Sequence, residues 1–297
     1  MPASFIDFFL RGIGIPEDYL PDLLAYAEKL GGEEDWNALT VRYMAGECTD
    51  INEVLNAAAA IGDRFLCHRY TAHLLFYSFC GEPLLRRYRD AGIPEDIYWD
   101  SMRDLRWKFF ECLAVHGVPG TFVGSWHSGF FRMTRFALGR LQYEHTSFGE
   151  EQYTKAGVML RRGDTVINCH IPSCGPLTVE SRMDSYRRAY DFYRREYPSG
   201  VLPLVCSSWL LYPPHTEFLP KTSNILSFMS DFDIIHSGVD EKFGNAWRVF
   251  GASAAEPPEK WPRDTSIRRA FAERICSGGK VGYGYGILLF DGERILR

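Results

Sequence analysis

The residues best suited to chemistry lie in the stretch VINCHIPSCGPLT, at positions 166–178. Alternate side chains of a strand leave opposite faces, so Asn168 and His170 share one face and Cys169 leaves the other. Histidine changes charge near neutral pH and can take a proton from a substrate. We therefore predict His170 to be a general base at the end of a strand. An ordinary, hydrogen-bonded histidine is the alternative interpretation.

The residues that follow His170 suit the binding of an anion. Pro172 cannot continue a hydrogen-bond ladder, Gly175 permits an unusual backbone angle or a close ligand, and Pro176 fits a first helical turn. The free N–H groups at such a helix start bind phosphates. The stretch thus predicts a strand–loop–helix cradle for a phosphate or pyrophosphate, with a plain turn as the alternative.

Other reactive residues form no recognisable cluster. The eight cysteines include no CxxC pair. Cys169, His170 and Cys174 match no zinc spacing, and two of them face opposite sides of the strand, so we predict no metal. No base is paired with Cys174 in its neighbourhood, as a nucleophile requires. Ser207 and Ser208 lack the G-x-S-x-G turn of hydrolases.

Composition excludes several classes of partner. The 297 residues carry a net charge of −5 without a basic block, so no nucleic-acid partner is predicted. No apolar run approaches about 18 residues, so no membrane span or membrane partner is expected. The N-terminal segment lacks the basic start of a signal peptide. We expect a soluble, cytoplasmic protein with reduced cysteines, and the sequence leaves its oligomeric state open.

The elements that position these residues differ between the two halves of the chain. Before residue 133 the patterns are helical, and GIPED, at 14–18 and again at 92–96, has the residues of a helix start. Spacings of three and four after the second copy predict one long helix. Its apolar stripe comprises Tyr98, Met102, Leu105, Phe109 and Leu113.

From residue 133 onward strands and helices are mixed. Leu141 and Tyr143 alternate with polar residues, including Glu144, which predicts a half-buried strand. Residues 201–212 predict a central strand that is buried on both faces and ends at Tyr212. Tyrosines spaced by three and four predict an amphipathic helix over 179–197.

Two further segments complete the second half. LPKTSNILSFMSDF predicts a short helix with Thr222 or Ser223 as its N-cap. FDIIHSGVDEKFGNAWRVFG has the pattern of two strands around a loop. Together, the halves predict an α+β fold with an all-helical domain, 1–132, followed by a mixed α/β domain, 133–297.

Four segments, FALGRLQYE, GDTVINCHIPSCGPLT, LPKTSNILSFMSDF and WRVFG, together resemble the bacterial acyltransferase-domain proteins. That family pairs a helical N-acyltransferase N-terminal domain with a GNAT-like C-terminal domain. The resemblance covers nearly the whole chain and is strongest from residue 134. It implies that acyl-CoA or acetyl-CoA, as co-substrate, lies between two splayed strands. These would be the strand that ends at His170 and Ile171 and the strand within 201–212.

The pyrophosphate loop of typical GNAT proteins reads Gln/Arg-x-x-Gly-x-Gly/Ala. Laid on residues 172–177, only Gly175 matches. Pro172 stands in place of the Gln or Arg, and Leu177 in place of the small residue. The resemblance and the predicted cradle together give a set of CoA-binding residues: Ile171, Ser173, Cys174, Gly175, Leu177, Thr178 and Asn224.

The function implied by the resemblance is an N-acyltransferase, in which an amine of a small molecule or peptide attacks the acyl-CoA thioester. The reaction needs a base that keeps the amine neutral and donors for the oxyanion. His170 is the predicted base, Glu144 is the second candidate, and Tyr212 is the predicted proton donor to the thiolate. The alternatives are a non-catalytic GNAT-shaped sensor of a small ligand or nucleotide, and a helical interaction module with a structural C-terminal domain.

Overall fold

A computed structural model describes residues 3–297, which form two compact units divided after Phe136. The first unit is helical and the second combines a sheet with helices, which confirms the predicted α+β class. The predicted domain boundary, after residue 132, stays a prediction. Among the described residues, no helix combines the length and the apolar character needed to cross a membrane.

The first unit is built around one long, buried helix, α5. Its residues 71–81 are buried without interruption, because neighbouring helices cover it from several sides. A helix buried all round needs no polar face, so it lacks an amphipathic stripe. The α-helices of the described first unit are α1 (Ala3–Ile13), α2 (Leu20–Gly31), α3 (Glu34–Met44), α4 (Ile51–Asp63), α5 (Arg69–Asp90), α6 (Glu95–Met102), α7 (Asp104–His116) and α8 (Ser128–Phe131).

Both GIPED copies begin helical segments, as predicted. Pro16 precedes a 3₁₀ turn, Glu17–Tyr19, that leads into α2, and Pro94 is the N-cap of α6. The single long helix predicted after the second copy is wrong, since the chain breaks at Arg103 between α6 and α7. The break is one residue long, and Arg106 N donates to Arg103 O at 3.1 Å across it. The apolar stripe therefore continues across the break, and its spacing cannot reveal it.

The second unit contains a six-stranded sheet in the order β1-β2-β5-β6-β8-β7, with β3 and β4 as a separate hairpin. β5 and β6 are parallel, whereas β2–β5, β6–β8 and β7–β8 are antiparallel. The strands are β1 (Arg135–Leu138), β2 (Leu141–Ser147), β3 (Gln152–Lys155), β4 (Val158–Arg161), β5 (Thr165–His170), β6 (Leu202–Ser208), β7 (Asp233–Val239) and β8 (Gly282–Phe290). The α-helices are α9 (Val179–Tyr193), α10 (Asn224–Met229), α11 (Ala246–Phe250) and α12 (Ser266–Cys276).

Two predicted strands are corrected by the structure. β6 ends at Ser208, because its hydroxyl accepts a hydrogen bond from Leu210 N and turns the chain into a 3₁₀ helix. Tyr212 therefore lies beyond that helix and not at the end of the strand. The second strand predicted in FDIIHSGVDEKFGNAWRVFG is instead the short helix α11. The helix α10 begins after Ser223, which caps it as predicted.

The two faces of the sheet are covered differently within this unit. α9 packs on the face of Tyr143, whose hydroxyl lies 2.9 Å from the Ser185 hydroxyl. On the other face, the β3–β4 hairpin packs over the beginning of β5 in an apolar cluster that includes Leu160, Val166 and Val205. Glu144, Asn168 and His170 lie on this second face, nearer the end of β5.

Candidate active site

The predicted base and its rival candidate form one hydrogen-bonded pair. Glu144 is opposite Asn168 in the β2–β5 register, so the side chain of Glu144 is diagonal to His170 on the same face. His170 Nε2 lies 2.6 Å from Glu144 Oε1 and 3.2 Å from Asn168 Nδ2. Both members of the pair are 21% exposed. A carboxylate only accepts, so Nε2 donates to Glu144 Oε1, and Asn168 Nδ2 lies near Nε2 without donating to it. In the neutral imidazole the lone pair is then on Nδ1.

A divergence of two strands lies beside this pair. β5 is paired with β6 at Ile167–Leu204 and Asn168–Val205, whereas β6 stays paired with β8 as far as Ser208. The strands therefore separate just where His170 ends β5. This is the pair of strands that the resemblance predicted to splay. Main-chain groups at such a divergence can bind a ligand in place of a neighbouring strand.

Tyr212 is placed differently from the prediction. Its side chain is buried, its ring centre is 5.7 Å from that of His215, and a β-carbon at Gly282 would lie 2.7 Å from its ring. In the described chain Tyr212 makes no hydrogen bond or ring contact with His170 or Glu144. The structure thus brings together two of the three predicted catalytic residues.

Two residues on the same sheet face were missed by sequence reasoning. The pairing of Asn168 with Val205 puts Ser207 on the face of His170, and Tyr285 is opposite Ser207 on β8. Ser207 is exposed, and burial raises the pKa of Tyr285. The alternation along LPLVCSS is the signal that places Ser207 on this face.

The loop 172–178 links β5 to α9, as predicted. Gly175 has φ +109°, a conformation that side chains disfavour, and a β-carbon there would meet open space. Thr178 is the N-cap of α9, and its hydroxyl accepts from Ser181 N. Ser173 is exposed, Leu177 is buried, and both Ile171 and Cys174 are half-buried.

The side chain of Arg140 binds this loop from the β1–β2 turn. It donates from Nη1 to Pro172 O at 2.9 Å, from Nη2 to Gly175 O at 2.7 Å and from Nε to Pro176 O at 3.2 Å. Asn224, the remaining predicted CoA contact, is exposed at the start of α10. Arg182 of α9 donates to the Ser227 hydroxyl at 2.7 Å, which holds α10 beside α9.

The cysteines near the site are poor nucleophiles or metal ligands. Burial raises the pKa of Cys169 well above its ordinary value and that of Cys206 to about 12, so both stay protonated thiols. The Cys174 thiol lies 3.7 Å from Arg140 O, to which it donates. Within residues 3–297, no group of three or more potential ligands is arranged to hold a metal ion.

The fold and the strand divergence agree with the families that the chain matches. Residues 136–288 match the GNAT-like C-terminal domain and residues 4–133 match the N-acyltransferase N-terminal domain. The first match covers more than half of the chain, so the protein belongs to the family with the GNAT-like C-terminal domain. It is an acyltransferase, and the predicted family is confirmed. No sequence among the curated proteins matches it significantly.

Solved structures of similar fold are also acyltransferases. One, bound to decanoyl-CoA and teicoplanin, is 21% identical with a TM-score of 0.69 over 94% of this chain and 85% of the other. A second, bound to decanoyl-CoA, is 21% identical with a TM-score of 0.63 over 97% and 99%. A third, bound to CoA and 10C-teicoplanin, is 18% identical with a TM-score of 0.65 over 97% and 99%.

Proposed function

We propose that this protein is an acyl-CoA-dependent N-acyltransferase that moves an acyl group from a CoA thioester to an amine. The observation that carries the proposal is the hydrogen-bonded pair of His170 and Glu144 where β5 and β6 diverge. A base is needed there because only a neutral amine attacks a thioester. The nearby loop 172–178 offers a place for the phosphates of the donor.

In this mechanism His170 accepts the proton of the attacking amine at Nδ1. Glu144 holds the ring in that tautomer and stabilises the imidazolium that forms. The amine nitrogen bonds to the thioester carbon, and collapse of the tetrahedral intermediate breaks the carbon–sulfur bond. The imidazolium of His170 returns its proton to the thiolate, so the products are an amide and CoA thiol. The proposed proton donation by Tyr212 to the thiolate has less support, because its ring packs against His215 and under Gly282.

The loop fits the pyrophosphate of CoA in two respects. The open space at Gly175 lets a ligand approach the main chain, and α9 begins directly after the loop. Its N-terminal end therefore lies next to the proposed phosphate site. The positive end of the helix favours phosphate. We propose that the donor contacts residues 171–178 and Asn224.

The acceptor class is proposed from chemistry and from the similar structures together. The reaction above needs a nucleophilic amine, and one similar acyltransferase holds decanoyl-CoA together with teicoplanin. We therefore favour a medium-chain donor and a peptide or small-molecule amine as acceptor. The proposed setting is the bacterial cytoplasm, where acyl-CoA is available.

A panel of ligands tests this function. Acetyl-CoA, decanoyl-CoA, free CoA and ATP are compared by thermal shift, followed by thiol release with amine acceptors. A preferred acyl-CoA at a hundred times its Kd should stabilise the fold by about 2.7 kcal/mol. Thiol release that depends on the amine supports the enzyme. Binding without release favours the sensor, and the absence of any shift with CoA species at millimolar concentration overturns CoA dependence.

A further inference from the structure

Arg140 makes an unusual set of contacts for an arginine. All three of its nitrogens donate to main-chain carbonyls of one loop, those of Pro172, Gly175 and Pro176, at 2.7–3.2 Å. No carboxylate in the described chain is paired with its guanidinium. The three loop residues follow Arg140 by 32 to 36 positions in the sequence. Arg140 therefore fixes the conformation of the loop and leaves its own charge uncompensated.

We infer that Arg140 is a positioning residue for the donor's pyrophosphate: it gathers the carbonyls of loop 172–178 on one side so that loop N–H groups face the ligand. This inference rests on the proposed function. Arg140 adds a positive charge behind the same loop, which strengthens the attraction for a dianionic group.

Peptide geometry connects the carbonyl contacts to the N–H groups. No peptide bond in the described chain is cis, and in a trans peptide the C=O and the following N–H point in opposite directions. When Arg140 binds Pro176 O, the N–H of Leu177 is turned away from the guanidinium. Arg182 binds Leu177 O at 3.2 Å and so turns the N–H of Thr178 away in the same manner. Gly175 precedes a proline, and its peptide has no N–H to direct.

The two arginines differ in their charge balance. Arg182 is buried and paired with Asp231, so its positive charge is neutralised inside the unit. Arg140 has no such partner, and burial lowers its pKa from the ordinary value, which reflects the cost of that charge. An anion bound at the loop would offset this cost. The charge of Arg140 therefore favours an anionic ligand, whereas the role of Arg182 is to hold the fold.

The turn that carries Arg140 is fixed against α9. The Ser185 hydroxyl accepts from Leu141 N at 3.0 Å and also binds Leu138 O, one residue before Gly139. Gly139 has φ +75°, and a β-carbon there would lie 3.3 Å from the Ser185 main chain. α9 thus holds the turn, and the turn holds the loop that leads into α9. These contacts preorganise the loop.

The test compares donors with and without the pyrophosphate. Wild type, Arg140→Met, Arg140→Lys and Arg188→Met are assayed with decanoyl-CoA and with S-decanoyl-pantetheine, which lacks the nucleotide and its phosphates. Arg188 is the control, because it is an exposed arginine of α9 paired with Asp184. CoA and pantetheine binding are measured by calorimetry on the same proteins.

Arg140→Met should raise the KM for decanoyl-CoA and the Kd for CoA by about tenfold or more, because the loop loses its fixed conformation and the donor loses the nearby positive charge. Arg140→Met should turn over the pantetheine thioester as well as wild type does. The KM and Kd of Arg140→Lys should lie between those of wild type and Arg140→Met. An equal loss with both donors, or no loss with either, overturns the inference. A wild type that neither binds CoA nor turns over any donor overturns the proposed function instead, and the inference with it.

Discussion

At the scale of single residues, the short hydrogen bond between His170 and Glu144 makes the two side chains act as one unit. Removing the base should lower kcat by about 10²- to 10⁴-fold in His170→Gln. Glu144→Gln keeps the ring but weakens its orientation, so its loss should be smaller. The double variant should be no slower than His170→Gln alone, because the effects of coupled residues do not add. Steady-state rates with a saturating acyl donor give the comparison.

The same strand offers a matched control for this prediction. His145 Nε2 lies 2.7 Å from Glu196 Oε2, but this pair is exposed and lies on the opposite face of β2. His145→Gln should leave kcat within about twofold, since exposed pairs contribute little. A His170→Gln variant as fast as His145→Gln would exclude His170 as the base.

Gly175 separates the binding role of the loop from its backbone conformation. Gly175→Val should lower stability by about 1–3 kcal/mol, because φ is +109° there, and should also weaken CoA binding. Gly163, in the turn before β5, has φ +92° and open space around it, so Gly163→Val carries a comparable strain. CoA affinity below the melting range should fall in the first variant alone. Equal affinities in the two variants would refute the cradle.

At the scale of elements, a buried ion pair ties α9 to the segment after α10. Arg182 and Asp231 are 2% and 8% exposed, and the Arg182 guanidinium also donates to the Ser227 hydroxyl. Asp231→Asn would leave a buried, unpaired guanidinium, which typically costs about 3–5 kcal/mol. Urea denaturation measures this loss.

The control for the ion pair is on the same helix. Asp184 pairs with Arg188, and both are about half exposed. Asp184→Asn should therefore change the unfolding free energy by less than about 1 kcal/mol. Similar losses of unfolding free energy in Asp184→Asn and Asp231→Asn would show that burial does not strengthen the pair of Arg182 and Asp231.

Periodicity predicted those elements whose signal is local. The tyrosine spacing indicated α9, Ser223 indicated the start of α10, and alternation put Asn168 and His170 on one face. The break at Arg103 was not predicted, because a one-residue interruption leaves the apolar stripe continuous. The end of β6 was not predicted, because Ser208 redirects the chain by accepting a hydrogen bond from Leu210 N, and a pattern of apolar residues does not indicate such a bond.

At the scale of the whole molecule, the sequence predicted a helical part followed by a mixed part, because purely helical patterns give way to mixed strand and helix patterns near residue 133. The hydrogen bond between His170 and Glu144 could not be predicted, because it depends on the register between β2 and β5. The contact of Arg140 with the loop is even harder to predict. The GNAT loop pattern has an Arg or Gln at the position of Pro172, whereas here an arginine from the β1–β2 turn reaches the loop only in the folded chain.

Buried histidines in each unit should make the whole molecule sensitive to acid. Burial lowers the pKa of His73, in the first unit, and of His215, in the second, to about 4. An unfolded histidine takes up a proton near pH 6.5, but these native ones do so only near pH 4. The unfolding free energy should therefore fall between pH 6.5 and 4, by about 2 kcal/mol per histidine at pH 5.

Chemical denaturation at pH 7.5 and 5.0 measures this loss. His215→Gln should reduce the difference between the two pH values by about 2 kcal/mol, because the titrating group is gone from both native and unfolded states. His236 is exposed on β7, so His236→Gln should leave the difference unchanged. A native state equally stable at both pH values would contradict the burial of neutral imidazoles. Loss of the difference in His236→Gln would locate the acid sensitivity at the surface instead.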